Sequence, residues 1–228
     1  MFFPYRSNRF SLWQLALCIV ITAALSDICM SQTTGKIEKC LVDNIGHALL
    51  SCLMWVSALI PRDGSTSRTI PSKGLDSHGG SSKHSIWYLE LGAAFALGSL
   101  LDIDHFVMGG SLSLTSATSL PSRPFGHSVA FVIVMSFFAM LFTGRYRYAL
   151  LTFVSLLTHQ LRDATRRGLW MWPLGSTPPI WYALYLFILA LAVFVIHNMA
   201  AMYFLSAHVS PLPGSNLVER SRSQLQNV

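Results

Sequence analysis

Charge is scarce in this chain. Only 11% of its 228 residues are Asp, Glu, Lys or Arg, where a soluble globular domain carries about 25%. That deficit excludes an ordinary water-soluble domain. With 52% hydrophobic residues and a mean hydropathy of +0.48, it places the chain among membrane proteins. Cysteine is also sparse: the four present form no C-x-x-C unit and no disulfide framework. No N-x-S/T sequon occurs, since Asn8, Asn44, Asn198 and Asn216 all lack the hydroxyl residue two positions on. The net charge is +6, but the basic residues are scattered singly and in pairs through loops and tails. That pattern argues against a nucleic-acid surface. It fits orientation signals and contact with the anionic headgroups of membrane lipid.

What is present in quantity is apolar sequence, in six runs: Ser11–Ile28, Leu41–Ile60, Ile86–Val107, His127–Thr143, Tyr146–Asp163 and Ile180–Phe204. Each is close to the ~20 residues needed to cross ~30 Å of hydrocarbon. The expected fold class is therefore all-α: a multi-pass transmembrane bundle of about six helices over residues 11–205, with a cytosolic N-terminus at 1–10 and a flexible tail at 206–228. The length suits one compact bundle. The fifth run is polar at its C-terminal end, which fits a tilted helix held by protein on all sides. Pro61–Ser85 is rich in Ser, Gly and charge and is expected to be disordered. Gly109–Gly126 is expected to form a short ordered, re-entrant segment. Gly168 reads as a helix stop, and Trp170 and Trp172 as interfacial anchors.

Basic residues set the expected orientation. Arg6, Arg9, Arg62, Arg68, Lys73, Lys83, Arg145, Arg147, Arg220 and Arg222 fall on one side, ten against six on the other. The bias puts both termini in the cytosol and the opposite loops in the lumen or outside. Met1–Ser26 also has the parts of a secretory signal peptide, with Ala24-Leu25-Ser26 as a cleavage triplet.

Acidic and imidazole groups gather at one end of these runs. Asp43/His47 and His159/Asp163 are i,i+4 pairs and Asp102/His105 is an i,i+3 pair, so each pair shares a helix face. Asp104 lies on another face unless the helix ends before it. His127 stands alone at the start of the fourth run. Ionisable groups at membrane depth are costly and face a bundle interior or a wet cavity, which makes them functional candidates. Asp and His in such pairs are metal-ligand types.

Plainer readings stand beside this one. Asp43 can be a helix N-cap, and His47 a hydrogen-bonded core residue. Asp102, Asp104 and Asp163 sit near helix C-termini, where the macrodipole disfavours a carboxylate by about 0.3–1 kcal/mol. A metal ion can offset that, and so can salt bridges to Arg123, Arg162 or Arg166. At the start of a helix the neutral imidazole of His127 is the favoured form. His78, His84, His197 and His208 match no pair and read as surface or interface residues.

The wording of these segments adds to their spacing. Asp102-Ile103-Asp104-His105 is followed by Ser122-Arg123-Pro124-Phe125-Gly126-His127-Ser128. Then come Thr158-His159-Gln160-Leu161-Arg162-Asp163 and the stretch Gly168 to Gly175. These motifs resemble those of small bacterial membrane-bound, predicted metal-dependent hydrolases. They are more similar to the eukaryotic transmembrane protein 267 family, over about Asp43 to Tyr182. The resemblance implies that Asp102, Asp104, His105, His127, His159 and Asp163 are metal-site positions, joined by His47 from an upstream histidine. The chain departs from the bacterial pattern where it matters for ligands: Ser122 stands where that pattern has its first histidine, and Gly126 where it has threonine.

The first functional reading is a metal-dependent hydrolase holding zinc or manganese, with a water as nucleophile and a lipid-like ester or phosphoester as substrate. The second is a non-enzymatic membrane scaffold or assembly protein whose polar cluster is a salt-bridged clamp. A metal or proton carrier is the third; the one-sided placement of the polar groups counts against it.

Overall fold

The computed structural model describes residues 11–60 and 80–209. Six long helices form the bundle: α1 (Leu12–Gln32), α2 (Lys36–Leu59), α3 (Gly80–Leu100), α6 (Val129–Thr143), α7 (Tyr146–Arg167) and α8 (Tyr182–Val209). Two short helices, α4 (Ile103–Met108) and α5 (Leu114–Thr118), and a 3-10 turn at Phe125–His127 lie between α3 and α6. No strand occurs among the described residues, as expected for an all-α protein.

Local chemistry explains several boundaries. Ser11 caps α1 in a reciprocal box: its hydroxyl accepts from the Gln14 backbone while Gln14 accepts from the Ser11 backbone. Ser128 caps α6 by accepting from Phe131 N–H. Gly168 ends α7 at φ +70°, a left-handed value that a side chain resists. A Cβ there would also lie 1.8 Å from the Thr177 carbonyl oxygen.

Four spans are long and apolar enough to cross a membrane among the described residues: Leu12–Gln32, Lys36–Leu59, Ile86–Met108 and Tyr182–Tyr203. They turn Leu17, Ile21 and Leu25 of α1 and Leu184, Phe187, Leu191 and Val195 of α8 outward, as lipid-facing surfaces require. The two remaining long helices differ. α6 has 15 residues, which reach only about 22 Å at 1.5 Å per residue. α7 is long enough but not apolar. It packs against α2, α3, α6 and α8, and buries Thr152, Ser155, Thr158, His159, Gln160 and Arg162. A polar helix is tolerated there because protein, not lipid, surrounds it. The fifth run is thus the enclosed helix its composition suggested.

Three expectations change. The run Ile86–Val107 is not one helix: α3 stops at Leu100 and α4 restarts at Ile103. Asp43 is no N-cap, because α2 begins seven residues earlier, at Lys36. Residues 80–85, expected to be disordered, already belong to α3, and helix continues into the expected tail as far as Val209. The rest of the expected loop, 61–79, and the termini at 1–10 and 210–228 lie outside the described residues. In the connection 109–126, α5 and the 3-10 turn supply the expected order.

Candidate metal centre

The break after Leu100 builds the site. Asp102 takes the N-cap position of α4 and Asp104 enters its first turn. Asp102 thus lies two residues beyond the C-terminus of α3, and Asp104 inside α4. Both face the 3-10 turn that carries His127, so the separation expected for Asp104 on a continuous helix disappears. Gly126 makes room for this approach, since a Cβ there would lie 2.4 Å from Asp104 Oδ2. Ser122 lines a cavity beside the site.

Four side chains converge. His127 Nε2 lies 3.3 Å from Asp102 Oδ1, and His159 Nε2 lies 3.4 Å from the same oxygen. The two Nε2 atoms are 3.4 Å apart. Asp163 Oδ2 stands 3.4 Å from His127 Nε2 and 3.8 Å from His159 Nε2. These four atoms come from the α3–α4 break, the 3-10 turn and two positions one turn apart on α7. His127 and His159 are almost wholly buried.

Neighbouring groups fix the orientation of each member. His159 Nδ1 is 2.8 Å from the Gly98 carbonyl oxygen. A carbonyl only accepts, so Nδ1 carries the hydrogen and Nε2 the lone pair. Asp104 Oδ2 lies 3.2 Å from His127 Nδ1, which likewise turns Nε2 inward. Asn44 Nδ2 donates to the Ser99 carbonyl and, at 3.4 Å, to Asp102 Oδ2. Arg166 pairs with Asp163 through Oδ1, leaving Oδ2 for the centre.

The remaining candidates form a surrounding layer. His47 stacks on His159 with ring centroids 3.8 Å apart. Its Nε2 is 3.6 Å from both Asp43 Oδ1 and Asp163 Oδ1. His105 Nδ1 is 3.0 Å from Asp104 Oδ1. Two other trios have metal-like spacing, His47/His159/Asp163 and Asp104/His105/His127. Each shares an imidazole with the central four, and a neutral imidazole has one lone pair to give. Asp102, His127 and His159 form a third such trio, with Asp163 beside it.

Burial pushes the His127 imidazole toward lower pKa. Hydrogen bonds to Asp102 and Asp104 and the charge of Asp163 outweigh that, and it ends pushed up to about 9. The neutral form expected from the helix N-terminus alone is overridden by three carboxylates. His197, read as a surface or interface residue, is buried at the contact of α8 with α2, with Nδ1 3.2 Å from the Ser57 carbonyl. The side chains of His78, His84 and His208 lie outside the described residues.

The salt-bridge reading holds for Asp163, which Arg166 pairs, and for two carboxylates it did not include. Arg162, only 2% exposed, binds Asp27 at 2.9 Å, Asp43 at 3.2 Å and the Ser26 hydroxyl at 2.8 Å. It ties α1 and α2 to α7. Sequence reasoning missed Ser26 and Asp27, although a charge inside the first apolar run was the available signal. Arg123, expected as an ion-pair partner, instead donates twice to the Gly168 carbonyl.

No family model and no solved structure matches the chain. Curated relatives do. A Danio rerio protein named Transmembrane protein 267 is 33% identical over 159 residues, covering 67% of this chain and 62% of the relative. The Bos taurus protein of that name is 41% identical over 99 residues, covering 40% of this chain and 46% of the relative. One from Xenopus laevis is 34% identical over 110 residues, covering 45% of this chain and 51% of the relative. The chain thus spans about half to three-fifths of the length of the relatives it matches. With several membrane-length helices and these relatives, it is an integral membrane protein related to the transmembrane protein 267 family.

Proposed function

We propose that this protein is a membrane-bound metal-dependent hydrolase whose ion is held by Asp102, His127 and His159, with Asp163 beside them and one position left for water. One observation carries the reading. Ligands 2.0–2.1 Å from a tetrahedral zinc stand about 3.3–3.4 Å from one another. The spacings among Asp102 Oδ1, His127 Nε2 and His159 Nε2 are 3.3, 3.4 and 3.4 Å. The donor set of two imidazoles and a carboxylate suits zinc or manganese.

Such an ion supplies Lewis acidity, polarising an ester oxygen and lowering the pKa of water toward about 7. The chain's own residues do the rest. Asp104 and the Gly98 carbonyl hold both imidazoles with their lone pairs inward, the arrangement that strengthens a histidine ligand. His105, held by Asp104 through Nδ1 and lining the adjoining cavity, has the placement to exchange a proton with a substrate there through Nε2. Asp43 and Arg166 close the site from the α2 side through an ion pair of 2.8 Å.

The test is elemental analysis of the full chain purified in detergent without chelators. About one equivalent of zinc or manganese, lost in His159→Ala and retained in His197→Ala, is the expected result. A metal-free wild-type protein would overturn the reading and leave the scaffold alternative, for which the Arg162 clamp is the supporting observation.

A further inference from the structure

A cavity of about 660 Å³ adjoins the candidate centre. Asp102 and His105 contribute to its lining, and so do two arginines, Arg123 and Arg167. These two differ from the other arginines of the site. Arg162 and Arg166 each have a carboxylate within hydrogen-bond distance. Among the described residues, no carboxylate lies within 4.0 Å of Arg123 or Arg167. Arg123 spends one N–H from each terminal nitrogen on the Gly168 carbonyl, which leaves three of its five donors. Arg167 is exposed at the cavity edge. Much of the remaining lining is apolar, including Ile37 and Leu41 of α2, Leu114 of α5 and Leu120.

The charges can be counted. A divalent ion among Asp102, Asp163 and two neutral imidazoles makes a neutral centre. Arg123 and Arg167 then add two positive charges at the same cavity without a carboxylate partner. Asp104 offsets one of them, so the site keeps a surplus of positive charge that an anion would balance. Guanidinium forks suit the oxygens of a phosphate, which has enough of them to meet both arginines. The apolar wall, at the end of a membrane bundle, suits a hydrocarbon tail.

Resting on the hydrolase reading, we propose that the substrate class is a phosphate monoester of a lipid-like alcohol, its phosphate held by Arg123 and Arg167 and its tail against the apolar wall. Hydrolysis of such an ester consumes one water. The P–O bond to the alcohol breaks, the water oxygen bonds to phosphorus, one water proton goes to the departing alcohol oxygen and the other to the phosphate.

Binding to the full chain in detergent tests this without turnover. The probes are a short-chain phosphatidate, the diacylglycerol of the same chains, and inorganic phosphate. Phosphatidate is expected to bind at least tenfold more tightly than either of the others. Arg167→Gln should weaken phosphatidate at least tenfold with metal content unchanged. Arg123→Gln should do the same, with Arg123→Lys retaining part of the affinity. Inorganic phosphate binding as well as phosphatidate would overturn the lipid assignment. Diacylglycerol binding equally well would overturn the phosphate assignment. Full phosphatidate affinity in Arg167→Gln would overturn the role of the arginines. Metal content measured on the same samples separates the two claims. Stoichiometric metal without phosphatidate binding defeats this inference alone, and arginine-dependent binding without metal defeats the hydrolase reading alone.

Discussion

Zinc should stabilise this protein, and His159 should be required for it. A ligand that binds only the folded state adds RT ln(1 + [L]/Kd), about 2.7 kcal/mol at free zinc one hundred times Kd. For a chain of this size, each kcal/mol moves the unfolding temperature by about 2–4 °C, so wild-type protein should gain about 5–11 °C over chelator-treated protein. His159 is fully buried, with one nitrogen on the Gly98 carbonyl and the other facing Asp102, His127 and Asp163. Removing a partner that only orients a ligand costs about 10–100-fold in metal affinity. Asp104→Ala should accordingly keep about 0.4–1.4 kcal/mol of the zinc effect at the same free zinc. His159→Ala removes a direct ligand and should keep less than about 0.4 kcal/mol, a shift of 1–2 °C at most. Thermal unfolding in detergent, with and without zinc, reads all three. His197→Ala is the control, because it is another buried histidine with a carbonyl partner and lies outside the cluster. An undiminished zinc shift in His159→Ala, or the same loss in His197→Ala, would refute the reasoning.

Other outcomes follow from the same geometry. Gly46→Ala would place a methyl group 2.1 Å from Arg162 Nη1 and 2.2 Å from Ser26 Oγ. Displacing Arg162 strands buried charge, at a cost of about 3–5 kcal/mol, so unfolding should come at least about 6 °C earlier. His127, with its pKa pushed up to about 9, is protonated at neutral pH when no ion is bound. Zinc must displace that proton, so zinc affinity should climb from pH 6 to pH 9. The sign reverses for the metal-free protein. Its stabilisation from protonated His127 is complete below the ordinary value near 6.5 and is lost as pH rises through about 9, which metal-free thermal unfolding at several pH values checks. For orientation, a cysteine reporter in the segment 61–79 should react from the cytosol and one at position 123 from the opposite side; labelling of both from one side would break the six-helix count.

The fold was legible because its signal is coarse. Apolar runs of membrane length survive any error of a few residues at their ends, and the polar C-terminal half of the fifth run already suggested an enclosed helix. The cluster was legible for a related reason. Pairs such as His159/Asp163 share a helix face whatever the helix packs against. The break between Leu100 and Ile103 was not legible, because Leu101-Asp102-Ile103 carries no Gly or Pro and reads as continuous helix. The division of labour among carboxylates was hidden too. Which acid meets an arginine and which meets an imidazole depends on how α1 and α2 dock on α7.

That division bears on whether the cluster is a clamp or a centre. Asp27 and Asp43 have guanidinium partners in Arg162 and Arg166. Asp163 gives one oxygen to Arg166 and turns the other toward the two histidines. Asp102 meets imidazole nitrogens and the Asn44 amide, and no guanidinium among the described residues. With the Nδ1 hydrogens committed to Gly98 and Asp104, the neutral imidazoles would aim two Nε2 lone pairs at two carboxylate oxygens. Four acceptors within 3.3–3.8 Å of their histidine neighbours repel unless a cation lies among them. Protonation relieves this in the metal-free state, and His127, whose pKa is pushed up to about 9, is one group that takes it up. A divalent ion relieves it more completely, because it satisfies several donors at once. A clamp built only for stability would have met Asp102 with an arginine, as Asp27 and Asp43 are met.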